Sequence, residues 1–138
     1  MKEIICGFAG VGKSTLAKNV KGFVDLESTP FKKDWDIYSD VAIHMANNGY
    51  QVMTSCHKEL REILKQKGAN YKVYTPTKDE KYQYLQKYKE RGNDENFLKL
   101  FEENFDKFVE EIEKTETNIF WLHGRSLQDV LKAKEMIK

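Results

Sequence analysis

The sequence predicts a three-layer, doubly wound α/β domain with a five-stranded parallel sheet and helices on both faces. Short apolar runs alternate with segments whose apolar residues recur at helical spacing, a pattern typical of parallel α/β sheets. The first run, Glu3–Phe8, is short and apolar, as expected of a strand that is covered on both faces. With 138 residues, no internal repeat and no long linker, the chain is predicted to be a single domain, residues 1–138.

The first half of the chain is predicted to contain three strands and three helices. In chain order these are the strand Glu3–Phe8, a helix from Lys13 to about Val20, the strand Phe23–Leu26, the helix Asp34–Asn48, the strand Tyr50–Ser55 and the helix Lys58–Lys67. A glycine follows each of the last two helices and ends it. Ile37, Val41 and Met45 recur every four residues, which predicts one apolar face on the middle helix.

The second half is predicted to contain two strands and three helices. These are the strand Tyr71–Tyr74, a charged helix from Lys78 to about Arg91, the helix Glu95–Lys114, the strand Asn118–Leu122 and a helix from Ser126 to the C-terminus. Thr77 and Glu80 form a capping-box pattern that starts the charged helix, and Gly92 helps to end it. The long helix has one broad apolar face, formed by Phe97, Phe101, Phe105, Phe108 and Ile112.

Composition and charge restrict the classes of partner. The chain is 40% hydrophobic and 33% charged, and its net charge is +1, so it has no overall charge that favours nucleic acid or anionic membranes. No apolar run approaches the roughly 20 residues that a bilayer requires. Without a signal peptide, Cys6 and Cys56 are expected to be free thiols in a reducing compartment. We therefore expect a cytoplasmic protein with no membrane partner.

A phosphate-binding loop is the strongest motif in the sequence. Residues Gly7–Ser14 match G-x-x-x-x-G-K-[ST] in full, between an apolar strand and an amphipathic helix, which is the context the motif requires. Its glycines allow successive amides to approach phosphate oxygens, and the helix directs its positive end at the same anion. Lys13 is expected to reach the β- and γ-phosphates of ATP, and the Ser14 hydroxyl to ligate Mg²⁺. The residues expected to contact the nucleotide are Gly10, Val11, Gly12, Lys13, Ser14 and Thr15.

This loop, an acidic second-strand end and a charged helix after the fourth strand resemble the P-loop nucleoside and nucleotide kinases. The likeness is to small adenylate-kinase-like members found in bacteriophage genomes. It implies a P-loop NTPase fold and an ATP-dependent phosphotransferase acting on a nucleoside or nucleoside monophosphate. In these kinases the second strand presents a carboxylate to the acceptor, which assigns Asp25 the task of orienting the acceptor and taking its proton, with Glu27 on the same face.

The three arginines are candidates for the positive charge that phosphoryl transfer requires. Arg91 lies in residues 78–94, which resemble the lid of nucleotide kinases, and is expected to close over the transferring group. Arg61 and His57 follow the third strand, where acceptor-binding groups are expected. In the family the loop that contains Arg125 approaches the adenine base. Solvated surface charge is the alternative for each arginine.

The sequence also departs from other P-loop proteins. The strand Tyr50–Ser55 lacks the terminal carboxylate that holds the magnesium shell in many of them. This argues against a motor ATPase or a GTPase switch, and it leaves Mg²⁺ to Ser14 and water, with Asp25 as an outer-shell candidate. The Asp-Gly-Phe-Pro-Arg sequence of the adenylate kinases proper is missing, which does not favour AMP as the acceptor.

Two other functions remain open at this point. A 5′-polynucleotide kinase is suggested by Asp25 and by the basic, aromatic helix that contains Tyr82, Tyr84 and Tyr88, because such surfaces can stack nucleic acid bases. The helical spacing of Tyr84 and Tyr88 instead favours packing. An ATP-binding regulatory module with little catalysis is suggested by the missing strand-end carboxylate. A small phosphoryl acceptor is the partner that the sequence favours.

Overall fold

Five strands form one parallel sheet in the computed structural model, which describes residues 2–137. The strands are β1 (Ile4–Gly7), β2 (Phe23–Asp25), β3 (Gln51–Thr54), β4 (Tyr71–Thr75) and β5 (Ile119–Trp121). They pair in the order β2-β3-β1-β4-β5, and every pair is parallel. All residues of the inner strands β1 and β3 are buried, whereas the edge strands β2 and β5 are only half-buried. The predicted five-stranded parallel sheet is confirmed.

Within residues 2–137, six α-helices connect and follow the strands. They are α1 (Lys13–Asn19), α2 (Trp35–Asn47), α3 (Lys58–Gln66), α4 (Lys81–Glu90), α5 (Glu95–Thr115) and α6 (Leu127–Ala133). Helix α1 packs against α6, α2 packs against α3, and α4 packs against α5. Right-handed crossovers change the face on which a helix lies when the chain reverses its direction across the sheet, as it does after β2. This rule puts α1 on one face and α2, α3 and α5 on the other, and the contact with α1 puts α6 on the face of α1.

Local capping decides where the two long charged segments begin. The Glu80 carboxylate accepts a hydrogen bond of 2.7 Å from the Thr77 amide, which completes the predicted capping box. A short 3₁₀ turn, Lys78–Glu80, leads from it into α4. Asp94 caps α5 by accepting a hydrogen bond of 2.8 Å from the Phe97 amide, so the chain interrupts the two helices where the sequence predicts.

The apolar face of α2 differs from the prediction. Its buried residues are Tyr38, Ser39, Ala42 and Ala46, whereas Ile37 is 52% exposed. Ile37 therefore lies outside the buried face, whereas Val41 is half-buried and Met45 packs against the core. The Tyr38 hydroxyl donates a hydrogen bond of 2.5 Å to the Leu26 carbonyl, which turns the small-residue side of α2 towards the sheet and α3.

The topology defines where a ligand crevice forms. Strand β1 lies between β3 and β4, and the chain leaves it first towards β2 and later returns to the other side at β4. In open α/β sheets, ligands bind outside the carboxyl ends of the strands at such a reversal. The loop after β1 starts at this position, so the fold puts residues 8–12 at the opening of the crevice.

The state of the two cysteines and the character of the helices can be compared with the sequence predictions. Cys6 is buried, Cys56 is half-buried, and both are free cysteines. None of the helices within residues 2–137 combines the length and the apolar character that a membrane crossing requires.

Candidate functional site

A cavity of about 600 Å³ lies at the carboxyl ends of the strands. It is bordered by the loop after β1, the end of β2, the residue after β3, the last turn of α4 and the first turn of α5. The lining residues are Ala9, Gly10, Gly12, Lys13, Ser14, Thr15, Asp25, Leu26, Glu27, Ser28, Ser55, Lys87, Glu90, Arg91 and Phe97. The cavity therefore brings together the predicted phosphate loop, the two predicted acceptor carboxylates and the arginine of the predicted lid.

The loop after β1 presents amides to this cavity. Gly10 and Gly12 have φ angles of 90° and 105°, which lie in the left-handed region that favours glycine. Within residues 2–137, no carbonyl or side chain accepts a hydrogen bond from the amides of Gly10, Gly12 or Lys13. Successive amides in such a turn form a concave anion-binding site. Next to them, the Val11 amide donates 3.2 Å to the Phe8 carbonyl, which fixes the turn internally.

Lys13 is partly buried at the centre of the loop. Its ammonium group donates a hydrogen bond of 3.1 Å to the Gly7 carbonyl. Burial lowers the pKa of Lys13, and the nearby Asp25 carboxylate opposes that shift. No carboxylate of residues 2–137 forms an ion pair with this ammonium. A partly buried ammonium whose partner is a neutral carbonyl is suited to an anionic ligand.

Two carboxylates line the cavity at and just after the end of β2, and Asp25 is the one near Lys13. Asp25 is half-buried and Glu27 is exposed, and both line the cavity. Burial raises the pKa of Asp25, Lys13 lowers it, and Glu27 adds to the increase, with a net shift above its ordinary value. A carboxylate with a raised pKa is a stronger proton acceptor than an ordinary aspartate. The arrangement can therefore accept a proton next to an anion-binding loop.

Helix α4 is held against the loop after β1 by two buried tyrosines. The Tyr88 hydroxyl donates a hydrogen bond of 2.7 Å to the Ala9 carbonyl, and the Tyr84 ring packs edge-on against Phe8. The Arg91 guanidinium lies over the Tyr88 ring, 5.9 Å from its centroid, and Arg91 lines the cavity. The segment 78–94 thus meets the loop through a packed contact, as the helical spacing of its tyrosines predicts.

Several residues of the cavity were not among the predicted site residues. They are Ala9, Leu26, Ser28, Ser55, Lys87, Glu90 and Phe97. Lys87 could have been found from its spacing, because residues four apart lie on one helix face and Lys87 precedes Arg91 by four. Phe97 belongs to the predicted core face of α5, and only its position at the first turn brings it to the cavity.

Arg61 does not reach the cavity. Its side chain is 2% exposed, and it forms ion pairs with Glu111 and Glu116 near the end of α5. Its Nε donates a hydrogen bond of 3.1 Å to the Cys56 carbonyl. The structure therefore gives Arg61 the role of connecting α3 to α5 and of holding the segment that follows β3.

Three further predicted residues lie outside the cavity lining. The Val11 side chain is buried in the core, and its carbonyl accepts a hydrogen bond of 2.9 Å from the Leu127 amide. His57 packs at a tilt against Trp35, and desolvation lowers the pKa of its imidazole. Arg125 is exposed; its Nε donates to the Leu122 carbonyl at 2.8 Å, so its side chain is bonded to the turn after β5.

The oxygen atoms of the cavity fit a magnesium ion that is held mainly by the phosphates of a bound substrate and by water. The exposed Ser14 hydroxyl and the Asp25 carboxylate both line it. Mg²⁺ prefers hard oxygen ligands and keeps several water molecules, so it is commonly bound by one or two protein groups together with substrate phosphates. At the end of β3, Thr54 bonds to the Cys6 sulfur and the Ser55 carbonyl, and offers no carboxylate. Ser14 is thus the residue that would ligate this ion directly, with water and the ligand phosphates, and Asp25 would be an outer-shell partner.

Comparison with known proteins adds no family assignment. No protein-family model matches the chain, and no curated protein matches it. We therefore base the functional assignment on the residues that line the cavity.

Proposed function

We propose that this protein has a P-loop NTPase fold and is an ATP-dependent phosphotransferase of the nucleoside and nucleotide kinase class. In this proposal the loop Gly7–Ser14 binds the phosphates of Mg·ATP. Asp25 binds the hydroxyl of a small acceptor, and Arg91 contacts the transferring phosphoryl group.

One observation carries the proposal: four separate parts of the chain converge on one cavity. The loop with Lys13, the β2 end with Asp25, the β3 end with Ser55 and the α4 end with Arg91 all line it. A kinase site requires groups that bind the phosphates, a proton acceptor for the second substrate and a cation that contacts the transferring phosphoryl group. All of them must surround one space that can hold both substrates. The lining supplies each of these groups.

The proposed chemistry is an in-line transfer of the γ-phosphoryl group. Lys13 and the amides of Gly10 and Gly12 stabilise negative charge on the β- and γ-phosphates. Asp25 orients the acceptor hydroxyl and receives its proton while the hydroxyl oxygen bonds to the γ-phosphorus. The bond from that phosphorus to the β–γ bridging oxygen breaks, and ADP leaves. When bound, Mg²⁺ would neutralise charge on the β- and γ-phosphates, and the Ser14 hydroxyl would ligate it.

A transfer assay with a matched pair of lysine variants tests the proposal. Purified protein is incubated with γ-labelled ATP, Mg²⁺ and a panel of nucleosides, nucleoside monophosphates and 5′-hydroxyl oligonucleotides, and ATP binding is measured separately by calorimetry. We expect transfer at about 1–100 s⁻¹, the usual range for kinases. Lys13→Ala should weaken ATP binding roughly 10- to 100-fold, because hydrogen bonds to charged groups contribute about 1.5–3 kcal/mol.

Lys18→Ala is the control, since Lys18 is exposed on the same helix and lies outside the cavity. It should bind ATP as the unaltered protein does. If ATP binds but no acceptor is phosphorylated, the protein is an ATP-binding module and the kinase proposal is wrong. If only oligonucleotides are phosphorylated, the activity is that of a 5′-polynucleotide kinase. Absence of ATP binding removes all three functions.

A further inference from the structure

We infer that the acceptor is a small neutral hydroxyl compound, with a nucleoside as the simplest case, and not a nucleoside monophosphate. This inference rests on the proposed function, because it concerns the second substrate of the same cavity. It follows from how charge is distributed between the two sides of that cavity.

The acceptor side carries negative charge only. At the ends of β2 and β3 the lining residues are Asp25, Leu26, Glu27, Ser28 and Ser55, and none of them is cationic. A phosphomonoester carries a charge of about −1.5 to −2 near neutral pH. Such a group on this side would lie beside two carboxylates, and like charges placed together disfavour binding. A neutral hydroxyl has no such penalty.

The cations of the cavity are already required by the triphosphate. Lys13 lies in the phosphate loop, and Lys87 and Arg91 lie at the end of α4 beside the loop. With Glu90 also in the lining, the cations do not outnumber the carboxylates of the cavity as a whole. The complex of a triphosphate with one magnesium ion is still an anion. Its charge is enough to pair with these three cations, so none of them is left for the phosphate of a second substrate.

The basic residues of α3, and Lys67 directly after it, pair with carboxylates outside the cavity; the exposed Lys58 pairs with Glu62 at 4.0 Å. Arg61 forms ion pairs with Glu111 and Glu116, and Lys65 pairs with Glu116 at 2.9 Å. Lys67 pairs with Asp40 at 2.8 Å. The sequence predicts that Arg61 binds the acceptor, so Arg61 is the residue expected to bind an acceptor phosphate. Its side chain is only 2% exposed, and its guanidinium pairs with carboxylates at the end of α5. No cation of α3 lines the cavity.

The same side does offer groups that suit hydroxyls. Ser28 and Ser55 can each donate and accept a hydrogen bond, and the Asp25 and Glu27 carboxylates accept only. Ser55 Oγ and His57 Nδ1 share a hydrogen bond of 2.9 Å, which orients the serine at the edge of the cavity. A sugar hydroxyl can donate to Asp25 while a neighbouring hydroxyl bonds to a serine.

The reaction balances with the substrates named. The acceptor R–OH and ATP give R–O–PO₃²⁻ and ADP, and the hydroxyl proton passes to Asp25 and then to water. The O–P bond to the acceptor forms as the bond between the γ-phosphorus and the bridging oxygen breaks. No oxidant, reductant or further reactant is needed.

The test compares each acceptor with its own phosphorylated form. Adenosine, guanosine, cytidine, uridine and thymidine are assayed against their 5′-monophosphates with γ-labelled ATP at fixed ionic strength. Because opposing like charges disfavour binding by several kcal/mol, we expect kcat/KM for the favoured nucleoside to exceed that for its monophosphate by roughly 100-fold. Equal or faster transfer to the monophosphates overturns the inference and leaves the proposed kinase activity intact.

A charge-reversal variant tests the physical cause. Glu27→Lys should reduce the preference for the nucleoside by about tenfold or more, because it puts a cation on the acceptor side. Glu113→Lys changes the net charge equally on the exposed side of α5 and should leave the ratio unchanged. A ratio that moves equally in both variants contradicts the inference, as does a preference for 5′-hydroxyl oligonucleotides over nucleosides. Failure of every acceptor with ATP bound removes the proposed function as well.

Discussion

The hydroxyl of Tyr88 on α4 donates a hydrogen bond of 2.7 Å to the carbonyl of Ala9 in the loop after β1. Tyr88 is fully buried, and its ring also packs against Phe97 and Phe101 of α5. The loop is therefore attached to an aromatic cluster on the far side of the cavity. Arg91 is the residue directly after α4 and follows Tyr88 by three residues, so the position of this cation depends on the same contact.

Tyr88→Phe should uncouple the loop from α4 with little change in packing. The substitution removes one hydroxyl and leaves the Ala9 carbonyl without its partner, which should reduce the free energy of unfolding by about 1–2 kcal/mol. Chemical denaturation measures this loss, and calorimetry should show weaker ATP binding. Tyr82→Phe is the control, because Tyr82 is 79% exposed, and it should change neither quantity. Equal effects of the two variants would contradict the coupling.

Gly10→Ala should be more damaging than Gly22→Ala. Both glycines have φ near 90°, so alanine meets the same backbone strain at either position, about 1–2 kcal/mol. A Cβ on Gly10 would lie 2.8 Å from Cε1 of Tyr88, whereas one on Gly22 has no atom within 4 Å. Overpacking of this kind costs about a further 1–3 kcal/mol. Thermal unfolding of the two variants measures the difference. Equal midpoints would show that Tyr88 and α4 shift away from the new Cβ at no cost, and would contradict this prediction.

Arg61→Ala should act on stability before it acts on catalysis. It leaves Glu111 and Glu116 without their shared cation, and removal of one partner from a buried ion pair costs about 3–5 kcal/mol. Arg125→Ala removes an exposed arginine and is the control. If Arg61→Ala instead raised the acceptor KM with stability unchanged, Arg61 would be a substrate-binding residue, as the sequence predicts.

The same ion-pair network predicts how stability depends on acid. Burial pushes the pKa of Glu116 up, but hydrogen bonds from Tyr71, Lys65 and Arg61 outweigh it and hold the pKa below its ordinary value. The stability from Glu116 is therefore present above the ordinary glutamate pKa of about 4.3 and is lost as the pH falls through the lowered one. Unfolding free energies between neutral pH and about pH 3 should show this decline, and Glu116→Gln should flatten it.

Asp25→Asn should lower kcat by about 10²- to 10⁴-fold, the usual contribution of a general base, with a smaller change in ATP affinity. Because burial raises the pKa of Asp25, the acidic limb of the kcat/KM profile should lie above the ordinary aspartate pKa of about 3.9. Activity should fall as the pH drops through that limb, since the base must be ionised. Glu27→Gln should retain the limb; equal losses of kcat and ATP affinity in Asp25→Asn would contradict the role of Asp25.

A raised pKa also has a consequence for folding at Asp25. The folded state binds the proton more tightly than the unfolded state, so ionisation of Asp25 destabilises the fold as the pH rises through its raised pKa. At neutral pH, Asp25→Asn should therefore be at least as stable as the unaltered protein. Thermal unfolding at pH 7 provides the measurement.

The sequence predicted those features that depend on neighbouring residues. The strand, glycine turn and helix of Gly7–Ser14 are adjacent in the chain, so the motif carries its own geometry. The Thr77–Glu80 capping box is also local, and it is present in the structure. The five parallel strands could be predicted because short apolar runs between helices have few other arrangements.

The positions of side chains that meet distant elements could not be predicted in the same way. On α2, the four-residue spacing predicted that Ile37 lies on the apolar face of the helix. The hydrogen bond from Tyr38 to Leu26, the residue after β2, instead decides which side of the helix is buried. Apolar spacing identifies a helix, whereas its rotation depends on the surface against which it packs.

Sequence alone predicted a phosphate-binding loop at the start of this domain, and it put Asp25 at the end of the next strand, where the structure has it. Only the tertiary structure decided that Arg91 joins them in one cavity and that Arg61 does not. The physical reason is that the carboxylates near an arginine decide where its guanidinium lies. The carboxylate partners of Arg61, Glu111 and Glu116, lie 50 and 55 residues away along the chain. Such partners become neighbours only when α3 and α5 pack on the same sheet.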